Sequence, residues 1–246
     1  VPYTRGAERS RDPYTIVREA EEAFAAGYKE VNLLGQNVDS YLWKAPEDCP
    51  EHCGESVNFA QLLEKVAAIS PQLRVRFSTS YPSDITDEVL YTMAAHSNIC
   101  RHIHFPVQSG SDAMLEKMRR KYDRKWYLER VARIREIVPD CGLTTDVIAG
   151  FCGESEEDHR DTLSLFEEVG FDAAFMFQYS ERPGTLAARK FEDDVPPEVK
   201  TRRLNEIIAL QNRKGAENYR KMIGRRLEVL VEGPSKKTPE DLCGRA

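Results

Sequence analysis

Long apolar runs are missing from this chain, and cysteines are few for its length. The longest apolar stretch is Ala173 to Phe177, closed by Gln178. A membrane span needs about 20 such residues, so none is expected, and no signal peptide is visible. The six cysteines, Cys49, Cys53, Cys100, Cys141, Cys152 and Cys243, are scattered over 246 residues. A disulfide-stapled secreted domain is small and cysteine-dense, so a reducing, cytoplasmic setting is expected instead. Repeats and low-complexity segments are absent. An initiator methionine is also missing: Val1-Pro2-Tyr3 reads as mid-protein sequence, and the chain is expected to be a fragment cut at both ends.

Hydrophobic residues make up 41% and charged residues 31%, the balance of a soluble globular domain. The net charge of −6 argues, taken whole, against a nucleic-acid binder. Its distribution is uneven: Arg202, Arg203, Arg213, Lys214, Arg220, Lys221, Arg225 and Arg226 face only Glu206 and Glu217 in one stretch. A solvated helix face accounts for that run as well as an RNA contact does.

Helical and strand signals alternate. Asp12-Pro13 is a helix start, followed by Ile16, Val17, Ala20, Ala23 and Phe24 at helical spacing. Strands are expected at 29–34, 73–77, 103–107, 142–149 and 172–179, separated by helical stripes such as Phe59, Leu62, Leu63 and Val66. Ser155-x-x-Asp158 resembles a capping box before Leu163, Phe166 and Val169. Residues 43–58 read as a surface loop. Leu227 to Val231 looks like the opening strand of a separate unit. Five strands alternating with helices predict an α/β fold with a parallel sheet or barrel and helices outside.

In such folds function gathers at the carboxyl ends of the strands. Those ends carry Gly35, Gln36 and Asn37; Ser78, Ser80 and Tyr81; Gln108 to Ser111; Gly150 to Glu154; and Gln178 to Gly184. Serine, glycine and asparagine there suit turns equally well. Glutamines at two strand ends do not, and Asp146 within an apolar run needs a partner or a ligand. His96, His102 and His104 lack convincing ligand spacing, which favours strand-face and surface roles. Cys49-x3-Cys53 begins like a cluster motif, but Ser56 stands where a third thiolate is needed. Cys152 reads as an inert buried thiol.

Several blocks in order carry a specific resemblance: Val1-Pro2-Tyr3-Thr4-Arg5-Gly6, Leu34-Gly35-Gln36-Asn37-Val38-Asp39-Ser40-Tyr41, Thr79-Ser80-Tyr81-Pro82, Pro106-Val107-Gln108-Ser109-Gly110-Ser111, Thr144-Thr145-Asp146, Phe175 to Ser180 and Pro183-Gly184-Thr185. Over nearly its whole length the chain resembles the radical S-adenosylmethionine (SAM) methylthiotransferase family. Within it, the branch that modifies isopentenyladenosine in tRNA is the nearest. Two positions depart from the family pattern: Arg119 replaces the asparagine of Met-Asn-Arg-Lys-Tyr, and Cys152 replaces the proline of Gly-Phe-Pro-Gly-Glu.

The resemblance implies a partial parallel (β/α)6-type barrel over residues 1–223, its first strand and C-x3-C-x2-C cluster motif lying before Val1. Residues 224–246 would begin a small β domain, the RNA-binding TRAM domain. No metal ligand is then expected within the chain. The implied cofactors are SAM and two [4Fe-4S] clusters. The implied reaction uses a 5′-deoxyadenosyl radical to activate C2 of an isopentenyladenosine beside the anticodon, which then receives a methylthio group. The partners implied are that tRNA and an electron donor such as flavodoxin or ferredoxin, with the protein a monomer. SAM contacts fall to Gly35, Gln36, Ser78, Ser80, Gln108, Arg120, Asp146 and Tyr179, with Arg120 suited to clamp a carboxylate. Arg5, Arg9, Arg11, Arg213 and Arg220 become RNA or substrate contacts. The alternatives are methylthiolation of a ribosomal-protein aspartate or of threonylcarbamoyladenosine in tRNA. A non-catalytic RNA-binding module and a phosphate-binding barrel using Gly150-x-x-Gly153 also remain open.

Overall fold

The computed structural model describes residues 6, 8–46, 52–78 and 81–246. Its frame is five parallel strands: β1 (Glu30–Leu34), β4 (Arg74–Ser78), β5 (His102–His104), β6 (Gly142–Ala149) and β7 (Ala173–Gln178). β1 pairs with β4, and β5, β6 and β7 form a second run. A parallel bridge between Val75 and Ile99 stitches the two together. The chain is thus an α/β partial parallel barrel.

Alternation within each strand separates two faces, because successive side chains point to opposite sides. Val75, Phe77, Ile103, Leu143 and Val147 face outward and are buried. They meet helices α2 (Phe59–Ala67), α3 (Asp87–Ala95), α5 (Arg124–Ile137) and α6 (Glu156–Val169) through Leu63, Leu90, Tyr127 and Phe166. The inner face carries Asn32, Arg74, Arg76, His102, His104, Thr144, Asp146, Phe175 and Phe177, all half-buried or exposed. Glu30 and Arg245 join it at the floor, 3.4 Å apart.

Capping follows the sequence closely. Asp12 accepts the amides of Tyr14 and Thr15 at the start of α1 (Pro13–Ala25), and Ser155 and Asp158 form a reciprocal capping box on α6. Two features differ from expectation. Residues 43–58 are not only a loop: β2 (Leu42–Lys44) and β3 (Ser56–Asn58) pair antiparallel, and Trp43 and Val57 are buried against the core. The third barrel strand is shorter than its apolar alternation, because Phe105 to Gln108 bends to reach β6 through one bridge, Gln108 to Val147.

α4 (Asp112–Lys117) follows the loop 105–111 at the carboxyl end of β5, the mouth of the barrel, and α7 (Leu186–Lys190) follows β7. The long helix α8 (Pro197–Lys221) then packs along β6 and β7. Residues beyond it form an antiparallel hairpin, β8 (Leu230–Pro234) with β9 (Leu242–Arg245). Arg74 and Arg76 donate to the carbonyls of Arg245 and Ala246, both at 2.9 Å, so the end of this hairpin sits on the amino ends of β1 and β4.

Candidate functional site

The segment after β5 is held unusually firmly. Thr145 Oγ1 accepts the Val107 amide at 2.9 Å and donates to the Phe105 carbonyl at 2.9 Å. The Tyr122 hydroxyl donates to the Pro106 carbonyl at 2.9 Å, and Tyr127 to that of Phe105 at 2.7 Å. These bonds hold Gln108 in the left-handed region, with φ 71°. A non-glycine residue there costs energy and persists only where its surroundings over-determine it. Next door, Gly110 must be glycine for packing reasons. A Cβ would lie 2.5 Å from the Asp161 carbonyl and 2.6 Å from Thr162 Cα, so the loop presses directly on α6.

Gln36, Gln108, Arg120 and Asp146 line one cavity of about 420 Å³, with Tyr81 and Asp84. The Arg120 guanidinium lies 6.0 Å from the Tyr81 ring, and its buried Nε has no hydrogen-bond partner. Among the described residues no carboxylate pairs with it. Asn37, just after the end of β1, braces the cavity wall. It donates to Asp84 at 2.5 Å and accepts the Tyr81 amide at 3.3 Å. Asp146 lies 3.4 Å from His104 Nε2, and Thr144 Oγ1 joins His104 at 3.0 Å to His102 at 3.1 Å. His104 is therefore a strand-face residue, as expected, yet it also touches the site. Its partner is across a strand pair, so ligand spacing along the sequence could not reveal it. Burial pushes the His102 imidazole below its ordinary pKa, and Arg76 and His104 push the same way.

Two further cavities flank the first. Gln36 also lines a space of about 820 Å³ with Gly35, Arg9 and Arg11. Gly35 packs on Val38, whose Cγ1 would be 3.3 Å from an added Cβ. Arg11 is engaged by Glu19 through two bonds of 2.6 and 2.9 Å, while Arg9 has no acidic partner among the described residues. On the other side, Gln108 and Asp146 also line a space of about 590 Å³ with Ile148, Phe177 and Arg182.

The remaining sequence candidates lie elsewhere. Ser78 closes β4 opposite Leu34 and lines none of these cavities. Tyr179 touches the third cavity, but its hydroxyl is buried. That burial, with the Cys152 thiol beside it, raises the phenol to about 12. Arg213 is paired with Glu167 and Glu217, and Arg220 lies near the last turn of α8 with no acidic partner among the described residues. Arg5, Ser80 and Cys49 lie outside the described residues. Cys53 is exposed, Cys152 is buried, and among the described residues no three His, Cys, Asp or Glu side chains could share a metal ion.

The Gly150-x-x-Gly153 loop is already filled from within. Glu154 accepts the Gly150 amide at 2.7 Å, and Asp194 accepts the Gly153 amide at 2.6 Å. Carboxylates occupying the amides leave no nest for a phosphate, which removes the phosphate-barrel alternative. Arg203 clamps the same Glu154 at 2.9 Å, and Asp193 holds Lys200 at 2.5 Å, so this corner is a structural knot. Burial raises the Glu154 carboxyl above its ordinary range despite the Gly150 amide and Arg203.

Among the described residues, no helix is long and apolar enough to cross a membrane. Residues 1–166 match the model of the radical SAM superfamily. The chain is 59% identical to a tRNA-2-methylthio-N(6)-dimethylallyladenosine synthase of Amoebophilus asiaticus, covering all of this chain and 51% of that protein. It is 58% identical to the protein of the same name from Bacteroides thetaiotaomicron, covering 52% of it. The chain thus spans about half the length of the curated relatives it matches. Among solved structures it is similar in fold to coproporphyrinogen III oxidase from Escherichia coli. The TM-score is 0.58 at 20% identity, over 82% of this chain and 45% of that one.

Proposed function

The chain belongs to the radical SAM superfamily, and from that premise we propose that it is the catalytic barrel of a tRNA methylthiotransferase. Its substrate is then an adenosine carrying an isopentenyl group next to the anticodon, and C2 of the base receives the methylthio group. The names of relatives 58–59% identical over the whole chain support this choice over a protein aspartate or threonylcarbamoyladenosine.

One observation carries the cofactor part: the cavity shared by Gln36, Gln108, Arg120 and Asp146, with a guanidinium that no described acid neutralises. That donor set fits a zwitterionic sulfonium nucleoside. Arg120 suits the SAM carboxylate, because a planar guanidinium can give two parallel hydrogen bonds. Gln36 and Gln108 suit the ribose and amino groups, and Asp146, steadied by His104, suits an ammonium or hydroxyl. Gly35 suits close approach of the backbone beside Gln36. SAM, beside a reduced [4Fe-4S] cluster, supplies the radical and methyl chemistry. The protein's own residues bind and orient it, and the firmly held Phe105 to Gln108 segment keeps the donors from relaxing.

Residues 224–246 are read as the opening of a TRAM domain, and the cluster ligands are assigned to parts of the longer protein outside this chain. The same reading implies an auxiliary cluster, a flavodoxin- or ferredoxin-like electron donor, a monomer and a cytoplasmic place of work. The test is anaerobic reconstitution of the full-length protein. Two [4Fe-4S] clusters, and methylthio product formed on isopentenylated tRNA, are expected. Methylthiolation of a ribosomal protein in place of tRNA would overturn the assignment.

A further inference from the structure

Two groups of cations on this chain differ in how they are paired. On α8, Arg202, Arg203, Arg213 and Lys214 are tied to Glu154, Glu156, Glu167, Glu206 and Glu217. The rest of that basic run lies at the amino ends of the strands, away from the mouth. Asn218, beside Arg220, bonds the Gly170 carbonyl and Asp172, just before β7, and Arg225 pairs with Asp140, just before β6.

At the mouth the position is reversed. Arg119 and Lys121 flank Arg120 on one lip, and Arg182, Arg189 and Lys190 follow β7 on the other. All five are exposed, and among the described residues none makes an ion pair. Lys121 lines the first cavity and Arg182 the third, and those two cavities share Gln108 and Asp146. Arg119 holds its charge on left-handed backbone, φ 56°, a conformation asparagine adopts more readily. Between the lips the inner face of β7 exposes two large aromatics, Phe175 at 61% and Phe177 at 54%. Phe177 sits beside Ile148 in the register and lines the third cavity.

We propose that an RNA strand crosses the mouth with its phosphates on Arg119 and Lys121 on one lip and Arg182, Arg189 and Lys190 on the other, and that its target base turns into the cavity between them and rests on Phe177. This rests on the tRNA reading above. Phosphates take unpaired cations in preference to neutralised ones, because only the former release counterions of their own. A base leaving its stack needs an aromatic or apolar wall to receive it. Phe177 and Ile148 also provide an apolar surface for the isopentenyl group.

The test uses the reconstituted full-length protein and an anticodon stem-loop RNA with and without the isopentenyl group, followed by fluorescence anisotropy over a salt series. Arg119→Glu with Lys121→Glu, and Arg182→Glu with Arg189→Glu, should each weaken binding about tenfold or more. Each pair should lower the slope of log affinity against log salt by about one to two. Phe177→Ala should erase the preference for isopentenylated over unmodified RNA. Arg220→Glu, at the other end of the barrel, should matter less than either lip. Lip variants that bind like the parent with an unchanged salt slope, or an Arg220 variant that loses more than they do, would overturn the surface. A parent protein that binds through the lips but forms no methylthio product would instead overturn the reaction and leave the surface standing.

Discussion

The mouth of the barrel and the corner where α8 meets the loop after β6 are built from the same kinds of residues and end in opposite states. Both gather arginines, carboxylates and glycines at carboxyl ends of strands. At the corner every group named above is spent on another: Glu154 on Gly150 and Arg203, Asp194 on Gly153, and Asp193 on Lys200. At the mouth Arg120 has no described counterion, and Gln108, though buried, is held in a strained conformation where it lines two cavities. The difference separates polar residues that build the fold from polar residues left to meet a ligand. Composition at a strand end does not make that distinction; pairing does.

The contrast can be broken at its strongest point first. Arg203→Met leaves Glu154 buried without its cation, which should cost about 3–5 kcal/mol. At roughly 2–4 °C per kcal/mol, thermal melts should fall by about 10 °C. An unshifted melt would mean the corner is not a knot. Arg120→Met should do the reverse: SAM binding to the reconstituted full-length protein about tenfold weaker by calorimetric titration, with stability changed by less than about 0.5 kcal/mol. Gln108→Gly sharpens the comparison by splitting the two signs. Relief of the left-handed strain should stabilise the fold by about 1 kcal/mol, while loss of the amide weakens SAM binding. A variant that gains neither stability nor loses affinity would remove Gln108 from the argument.

The smallest effect concerns pH. His102 is held neutral in the fold, with its pKa below the ordinary 6.5 because of burial, Arg76 and His104. A lowered histidine pKa means the unfolded chain takes up the proton first. Its contribution is therefore complete above pH 6.5 and is lost as pH falls below 6.5 toward the folded value. Melts at stepped pH should show that slope, and His102→Gln should flatten it.

Much of the barrel was legible because strand alternation and helix caps are local signals. Arg74-Val75-Arg76-Phe77 announces a two-faced strand, and Asp12-Pro13 and Ser155-x-x-Asp158 mark helix starts that the structure keeps. The β2–β3 pairing was not legible. Each strand is three residues long, and their partnership depends on Trp43 and Val57 reaching the core together. The placing of Gln36, Gln108 and Asp146 on one rim followed from reading function at strand ends, whereas Arg120, which lines the same cavity, came from the family resemblance alone. The neutralisation of Arg213 was not legible, because Glu167 comes from another helix, and neither was the contact of His104 with Asp146. Side-chain direction also escaped the sequence at Tyr179, whose hydroxyl turns toward Cys152 once β7 has ended.

The hairpin seated on Arg74 and Arg76 has a consequence for traffic. With carbonyls of the hairpin accepting from both guanidiniums, and Arg245 against Glu30, the described cations at that end of the barrel are already engaged. On the reading proposed above, nucleoside and RNA then both come to the mouth, where Arg120 stands without a counterion among the described residues, and the order of arrival and departure becomes a property of the architecture.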